Sequence, residues 1–101
     1  MPKLFEYRGL TIYFYSNEHE PIHVHGAFQG RESKAEILLE NGEITEIRLC
    51  SVTGLKPLEP AKLAEFEVLV RYYAAEIVIL WQDYFIRHLP IKARTITRRI
   101  R

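Results

Sequence analysis

Cysteine, long apolar runs and, towards the end of the chain, acidic residues are scarce in this 101-residue sequence. Cys50 is the single cysteine, which excludes a disulfide within the chain and any multi-cysteine zinc site and is typical of a reducing compartment. Glu76 interrupts the most apolar stretch, residues 74–81, so no segment reaches the length of a membrane span. The first residues show no apolar segment before a cleavage site. We therefore expect a cytoplasmic protein with no signal peptide and no membrane segment.

The last fifteen positions hold no acidic residue and six basic ones. These are Arg87, Lys92, Arg94, Arg98, Arg99 and Arg101. Residues 1–86 have eight basic and 13 acidic side chains, a net charge of −5. This contrast predicts an acidic body followed by an interaction segment. Because 48% of the residues are hydrophobic, the chain can bury one core, and we predict one domain over residues 1–89 and a basic arm over residues 90–101. The arm can form a sixth strand, embrace a partner or stay disordered.

Five short segments alternate apolar and polar residues with the period of a β-strand. They are residues 3–7, 10–16, 22–29, 32–39 and 43–50. The pairs Arg8-Gly9, Gly30-Arg31 and Asn41-Gly42 are typical of tight turns between them. Short turns between successive strands predict an antiparallel meander. The facing of the last two strands stays open, because two apolar sets compete for the buried side: Leu38, Ile47 and Leu49 against Ile37, Leu39 and Ile44.

A long helix is predicted from Pro60 to about Phe85. Proline suits the first turn of a helix, where its missing N–H is not needed, and apolar residues then recur at spacings of three and four. The predicted fold is therefore α+β: an antiparallel meander of about five strands, then one long C-terminal helix packed on the sheet, with the basic arm after it.

A second apolar set on this helix lies on a different face from the main stripe. Its members are Leu69, Tyr72, Ile79 and Ile86. Exposed apolar surface of this extent marks an interface, so we predict a homodimer built partly on the helix. The alternative is that the arm folds back and covers this face.

Residues 17–26, NEHEPIHVHG, combine acids, histidines and a proline that suits the start of a strand. His23 and His25 stand two apart in a strand, so both imidazoles should lie on one face. If the apolar faces of the two neighbouring strands coincide, Tyr13 lies opposite His25 and Tyr15 lies opposite His23. We expect a tyrosine and histidine surface there, with His19 in the preceding loop.

This surface has two chemical interpretations besides a structural role. Two neutral imidazoles on one face can bind zinc or another divalent transition metal, with Glu18, His19 or Glu20 as a third ligand. The pair can also act as general acid and base, so His23 and His25 are the candidate catalytic residues of a hydrolase or nuclease. The residues alone do not decide whether the protein is an enzyme or whether it binds any cofactor.

Nucleic-acid or partner binding is a further interpretation, because a basic segment attracts polyanions and aromatic side chains stack on bases. The residues expected to take part are Tyr13, Tyr15, Arg94, Arg98, Arg99 and Arg101.

The chain resembles a family of small bacterial proteins, the domain of unknown function DUF4160. The resemblance covers at least residues 2–86 and rests on Pro21, His23 and His25 after an aromatic strand, and on residues 81–85, WQDYF. Ile22 stands where many members have a second proline, and Gly26 where valine is common. The resemblance implies an α+β fold, no established activity, and frequent occurrence beside another small gene, as in toxin–antitoxin pairs.

We therefore predict a bacterial binding or regulatory protein, a component of a toxin–antitoxin-like gene pair, that recognises a protein or a nucleic acid. The alternative is a small histidine-based or metal-dependent hydrolase or nuclease that acts at His23 and His25.

Overall fold

The computed structural model describes residues 2–15 and 21–101 and has the predicted α+β architecture. Its elements are β1 (Lys3–Tyr7), β2 (Leu10–Tyr13), β3 (Ile22–Phe28), β4 (Arg31–Glu40), β5 (Glu43–Ser51), α1 (Pro60–Phe85) and β6 (Arg94–Ile96). The sheet has the order β5-β4-β3-β2-β1-β6. Strands β1 to β5 pair antiparallel in succession, whereas β6 runs parallel to β1. The predicted five-strand meander and long helix are confirmed, and the complete sheet is mixed.

Two-residue turns set the register of the meander. At residues 8–9, 29–30 and 41–42 both positions have a positive φ, between 49° and 85°. Such turns match the twist of the strands they join, and the glycine at the second position adopts the larger φ without a steric cost. The middle turn lies one residue earlier than predicted, at Gln29-Gly30 instead of Gly30-Arg31.

An irregularity between β4 and β5 explains why two apolar sets competed for the buried side. Ile37 pairs with Ile47, but Leu39 pairs with Ile44, because the register shifts between Leu38 and Leu39. Partners across a ladder lie on the same face, so the shift brings Ile44 to the side of Ile47 although the two are an odd number of residues apart. Strand β5 therefore contributes Ile47 from one set and Ile44 from the other to the face on which the buried Ile37 lies.

Helix α1 covers one face of the sheet, and it packs tightly against Gly26 in β3. A Cβ atom at Gly26 would lie 2.6 Å from the ring of Phe66. This glycine lets the phenylalanine ring rest directly on the strand backbone. The fully buried side chains around this contact come from the helix and from several strands: Phe5, Leu10, Ile12, Phe14, Val24, Ile37, Leu69, Val70 and Ile77.

The second apolar set on α1 divides in the structure. Tyr72, Ile79 and Ile86 are 52%, 56% and 63% exposed, in agreement with an outward-facing stripe. Leu69 was assigned to the same set, but it is fully buried in the core beneath the helix. Three residues turn an α-helix by about 300°, so Leu69 lies about 60° round the helix from Tyr72, on the side of the buried Phe66 and Val70. The exposed stripe therefore begins at Tyr72.

The basic arm is ordered along β1 and α1. Residues 94–96 pair with Phe5, Glu6 and Tyr7. Ile100 is buried, and its backbone N–H donates to the Tyr7 hydroxyl at 2.9 Å. Of the three alternatives for the arm, the structure has a sixth strand. Within the described residues, no helix is long and apolar enough to cross a membrane.

Candidate functional site

The face of the sheet opposite α1 carries the predicted tyrosine and histidine surface. Tyr13 in β2 pairs with His25 in β3, as the register argument predicted. Because Gly26 faces the helix, the neighbouring His25 must point to the other side of the sheet. His25 also pairs with Lys34 in β4, so three adjacent strands contribute polar residues to this face.

A buried carboxylate, Glu32 in β4, connects these residues. One carboxylate oxygen, Oε1, accepts a hydrogen bond from the Tyr13 hydroxyl, and Oε2 accepts one from the Tyr15 hydroxyl at 2.6 Å. The Nδ1 atom of His25 lies 3.1 Å from the same Oε2. Glu32 is only 8% exposed, so the three donors replace the water that an ionised carboxylate needs. We refer to Tyr13, Tyr15, His23, His25 and Glu32 as the polar cluster.

Sequence reasoning did not single out Glu32. Acidic residues at positions 32 and 36 look like the solvated face of an ordinary strand. The signal lies in the hairpin register: Glu32 pairs with Ala27, two residues along the strand from His25 and on the same face. With the turn placed correctly at residues 29–30, this diagonal contact could have been found.

His25 is a buried, neutral imidazole. It is 2% exposed, and the Tyr15 ring stacks on it with the ring centroids 3.7 Å apart and the planes 9° from parallel. Burial, followed by the neighbouring charge of His23, lowers the pKa of His25 from 6.5 to about 4. Burial and the Glu32 carboxylate also raise the pKa of Tyr13, so its hydroxyl stays protonated as a donor. The Tyr13 hydroxyl and Nδ1 of His25 thus both act as donors to the Glu32 side chain.

His23 lies at the outer end of the cluster. Its Nδ1 atom is 2.9 Å from the carbonyl oxygen of Pro21, and its ring centroid is 5.2 Å from that of His25. A carbonyl oxygen can only accept, so Nδ1 of His23 carries the proton. The proline immediately before β3 therefore also orients the first histidine of the motif.

Charged side chains continue this face towards β5. Arg48 contacts Glu46 at 3.2 Å and Glu36 at 3.8 Å. Burial, together with the negative charge of Glu36, raises the pKa of the nearby Cys50 thiol. A raised pKa keeps the sulfur protonated, which does not favour a nucleophilic role.

The predicted metal ligands are only partly described. Among residues 2–15 and 21–101, no three histidine, cysteine or acidic side chains form a group that could hold a metal ion. Glu18, His19 and Glu20 lie outside the described residues. Metal binding at His23 and His25 therefore stays a prediction.

The residues predicted to bind nucleic acid lie in two places. Tyr13 and Tyr15 belong to the polar cluster, whereas Arg94 and Arg98 are on the side of the sheet that α1 covers. The Arg94 guanidinium is 5.4 Å from the ring centroid of Tyr73 and forms an ion pair with Glu76 at 2.9 Å. Arg98 donates to the Tyr72 hydroxyl, and Arg99 and Arg101 are exposed at the end of the arm. The tyrosines and the arm thus do not form one surface.

Comparison with known proteins identifies a family but no individual relative. Searches of curated proteins and of solved structures give no match. A family model matches residues 9–82, which include the polar cluster and most of α1 but not the basic arm. This match spans well over half of the chain. The chain therefore belongs to the family described as a domain of unknown function, DUF4160.

Proposed function

We propose that the protein is a binding or regulatory module that recognises nucleic acid through its basic arm, as one component of a toxin–antitoxin-like gene pair. The observation that carries the proposal is an arm of concentrated positive charge held on a folded edge of the sheet. The gene-pair role is supported by the family resemblance of the sequence.

The arm keeps most of its charge available to an anionic partner. Arg94 is paired with Glu76, but Arg98 contacts the uncharged Tyr72 hydroxyl. Within the described part of the chain, Lys92, Arg99 and Arg101 have no carboxylate partner. Phosphate groups that bind such cations release counterions, and this release favours association at low salt.

Anchoring of the arm makes this charge more effective than it would be on a disordered tail. Ile100 is buried and its N–H is bonded to Tyr7, so the backbone between the cations is already ordered. Less conformational entropy is then lost when a polyanion binds. The same anchoring argues against deletion of the arm as a test, because deletion would also expose the core around Ile100.

Charge substitution tests the proposal without removing the anchor. A fluorescein-labelled single-stranded RNA is titrated with the full chain at several salt concentrations, and anisotropy is measured. The variant K92Q/R99Q/R101Q should bind at least about tenfold more weakly at low salt. The slope of log affinity against log salt should fall by about 2, since each phosphate contact contributes roughly 0.7 on a single strand.

A matched control removes three charges from β4, β5 and the loop after β5, in the variant K34Q/R48Q/K56Q. This variant should keep the wild-type slope, because β4 and β5 lie at the opposite edge of the sheet from β6. The proposal fails if the wild-type chain does not bind RNA at low salt, or if both triple variants weaken binding equally.

We further propose that the protein is a homodimer that uses the exposed stripe of α1. Tyr72, Ile79 and Ile86 recur every seven residues, which is the spacing of a helix–helix seam. Two ion pairs lie beside this seam: Arg71 with Glu67 in the helix, and Arg87, just past the end of the helix, with Asp83. An apolar centre with charged edges is the usual composition of an interface.

A second candidate function is a histidine-based or metal-dependent hydrolase or nuclease. The contact between Glu32 and Nδ1 of His25 favours it, because a carboxylate at Nδ1 leaves Nε2 as the basic nitrogen. Incubation of the chain with end-labelled RNA, with and without added divalent metal, tests this candidate. Cleavage that is lost in H23A and H25Q but retained in H88N would support it, and intact RNA under all conditions would exclude nuclease activity.

A further inference from the structure

We propose that the groove between the basic arm and α1 binds a phosphodiester group, the backbone linkage of nucleic acid, between the guanidinium groups of Arg94 and Arg98. The inference rests on the nucleic-acid function proposed above and adds the place at which one phosphate of the strand is bound.

The groove is formed by one helix residue and by the central segment of the arm. Its lining residues are Tyr73, Arg94, Thr95, Ile96, Thr97 and Arg98. Its volume is about 260 Å³, which at about 30 Å³ for each water molecule is room for about eight waters. A phosphate group that enters the groove can replace several of these waters. The groove is shallow and open to solvent, so a group within a longer strand can reach it.

The first argument is the fixed position of Arg94. Its guanidinium carbon lies 5.3 Å from the ring centroid of Phe5 and 5.4 Å from that of Tyr73. Its Nη2 atom lies 2.9 Å from Oε2 of Glu76. A guanidinium has five N–H donors, so a contact through Nη2 leaves further donors for a second anion. Arg94 can therefore bind a phosphate in the groove while the two rings and the carboxylate keep it in place.

The second argument is that Arg98 is oriented without being neutralised. Its Nη2 atom donates to the Tyr72 hydroxyl, and its guanidinium carbon lies 5.1 Å from the Tyr72 ring centroid. Within the described residues, Arg98 forms no ion pair with a carboxylate. Tyr72 and Glu76 are four residues apart, so the helix groups that hold the two guanidiniums are separated by about 6 Å along the axis. Both arginines thus stand at the same short groove.

The third argument is the charge of the groove. The two arginines and the carboxylate of Glu76 give a net charge of +1. A backbone phosphodiester has a single negative charge, whereas a terminal phosphate monoester has a charge of about −1.5 to −2 at neutral pH. A monoester would therefore leave excess negative charge beside Glu76. Arginine also matches phosphate oxygens with two parallel N–H donors. The groove is thus suited to an internal phosphate of a strand.

The test uses the full isotope-labelled chain and two small ligands. The dinucleotide UpU has one phosphodiester and no terminal phosphate, whereas uridine monophosphate has only a monoester. Each ligand is titrated by NMR while the Nε–Hε signals of the arginines are followed, with the signals assigned from R94Q and R98Q. We expect UpU to shift the signals of Arg94 and Arg98 with one dissociation constant, and to bind at least as tightly as uridine monophosphate.

Substitutions of the arginines separate a defined site from diffuse positive charge. R98Q should weaken UpU binding about tenfold, as expected for the loss of a charge-assisted hydrogen bond. R98K keeps the charge but not the planar fork, so its affinity should lie between those of R98Q and the wild type. R71Q is the matched control, because Arg71 also forms an ion pair at 2.9 Å, with Glu67, and its side chain is 54% exposed. It should bind UpU as the wild type does.

Glu76→Gln tests the charge argument, because it removes the one negative charge beside the groove. The affinity for UpU should rise about two- to fivefold, the usual range for a surface ion pair. The gain should be larger for uridine monophosphate, which has more negative charge. Glu67→Gln is the control: Glu67 lies nine residues before Glu76 and therefore about 180° round the helix, so its replacement should change neither affinity. Thermal unfolding of all these variants should stay close to that of the wild type, since none of the replaced side chains belongs to the core.

The assignment is overturned if UpU does not shift the signals of Arg94 and Arg98, or if R71Q weakens binding as much as R98Q does. It is also overturned if R98K binds as the wild type does, or if uridine monophosphate binds clearly more tightly than UpU. If these failures occur while the labelled RNA still binds through the end of the arm, the proposed function stands and the groove is wrong. If UpU binds at the groove and the RNA does not bind, the phosphodiester site stands and the nucleic-acid function fails.

Discussion

Glu32 determines how the residues of the polar face are arranged. It is a nearly buried carboxylate that receives three hydrogen bonds from two tyrosines and a histidine. A carboxylate in this position is tolerated because each of its two oxygens accepts at least one hydrogen bond. Removal of one donor should therefore lower the free energy of unfolding by more than an ordinary surface hydrogen bond contributes to it.

The first prediction concerns the Tyr13 hydroxyl. Tyr13→Phe removes a donor to a buried charge but keeps the ring, so we expect the free energy of unfolding to fall by about 1.5–3 kcal/mol. Urea denaturation followed by circular dichroism measures the change. Tyr84→Phe is the control, because the Tyr84 side chain is only half-buried and makes no hydrogen bond to a described residue. A loss of equal size in both variants would contradict the special role of the Tyr13 hydroxyl.

The second prediction concerns the pH dependence of stability. The pKa of His25 is about 4 in the folded chain and near 6.5 when unfolded, so the unfolded chain takes up this proton first as the pH falls. The contribution of neutral His25 to the free energy of unfolding is therefore fully present above about pH 6.5. It is lost as the pH falls from 6.5 to 4, and the loss amounts to about 3 kcal/mol. The free energy of unfolding, measured from denaturation curves at several pH values, should change less with pH over this range in His25→Gln than in the wild type.

His88→Asn is the control for this experiment. His88 is exposed and has a positive φ, a conformation that asparagine tolerates. Its replacement should leave the dependence on pH unchanged. An equal change of slope in both variants would show that the histidine charge acts through the net charge of the protein and not through burial.

The residues of the polar cluster differ in how far they could be predicted. His23, His25, Tyr13 and Tyr15 were found because strand alternation places every second residue on one face. Glu32 was missed because its importance depends on the hairpin register, which a shift of one residue in the predicted turn had obscured. Pairing between strands is a tertiary property that local sequence patterns only partly encode.

At the scale of the secondary-structure elements, β3 and α1 are in tight contact at Gly26. Gly26 has no side chain, and the Phe66 ring occupies the space that a Cβ would take. A tightly packed core does not absorb an extra methyl group without displacement of its neighbours.

The third prediction follows from this contact. Gly26→Ala should reduce the free energy of unfolding by about 1–3 kcal/mol, because the Phe66 ring must move. In a Phe66→Leu background the same substitution should cost clearly less, since the smaller side chain leaves room for the methyl group. Urea denaturation of the four proteins in this double-mutant cycle measures the coupling. Additive effects would mean that the ring and the glycine do not constrain each other.

Elements with strong local signals were predicted well, and irregular ones were not. Asn41-Gly42 was identified because a type I′ turn needs positive φ at both positions, and Arg8-Gly9 was identified as a two-residue turn between two apolar alternations. The helix bounds were close, because Pro60 suits its first turn and its apolar period is regular. The shift in β5 left no signal in residue type, so the facing of Ile44 relative to Ile47 could not be decided from the sequence.

For the whole molecule, the exposed stripe of α1 and the basic arm are the two surfaces proposed above for partners. They meet at Tyr72, whose hydroxyl accepts a hydrogen bond from Arg98 and whose ring is 5.1 Å from the Arg98 guanidinium carbon. A dimer formed on α1 would therefore bring the two arms of the pair close to the same interface.

The fourth prediction tests this dimer. The wild-type chain should have about twice its monomer mass of 11.9 kDa in size-exclusion chromatography with light scattering. Ile79→Glu places a charge at the centre of the stripe and should raise the dimer dissociation constant at least about tenfold. Leu55→Glu alters an apolar residue of similar exposure, 43%, outside the helix and should leave the mass unchanged. The proposed interface would be contradicted if the wild-type chain has the mass of a monomer. It would also be contradicted if Leu55→Glu is a monomer while Ile79→Glu stays a dimer.

The pairing of β6 with β1 also has a consequence for folding kinetics. About ninety residues separate Phe5 from its partner Arg94, whereas the other strand pairs are neighbours in the chain. Closure of so long a loop is slow, so we expect β6 to dock after the meander and α1 have formed, with the edge of β1 open until then. A polyanion that binds the docked arm would then stabilise the last step of folding, and would protect an edge on which other chains could otherwise aggregate.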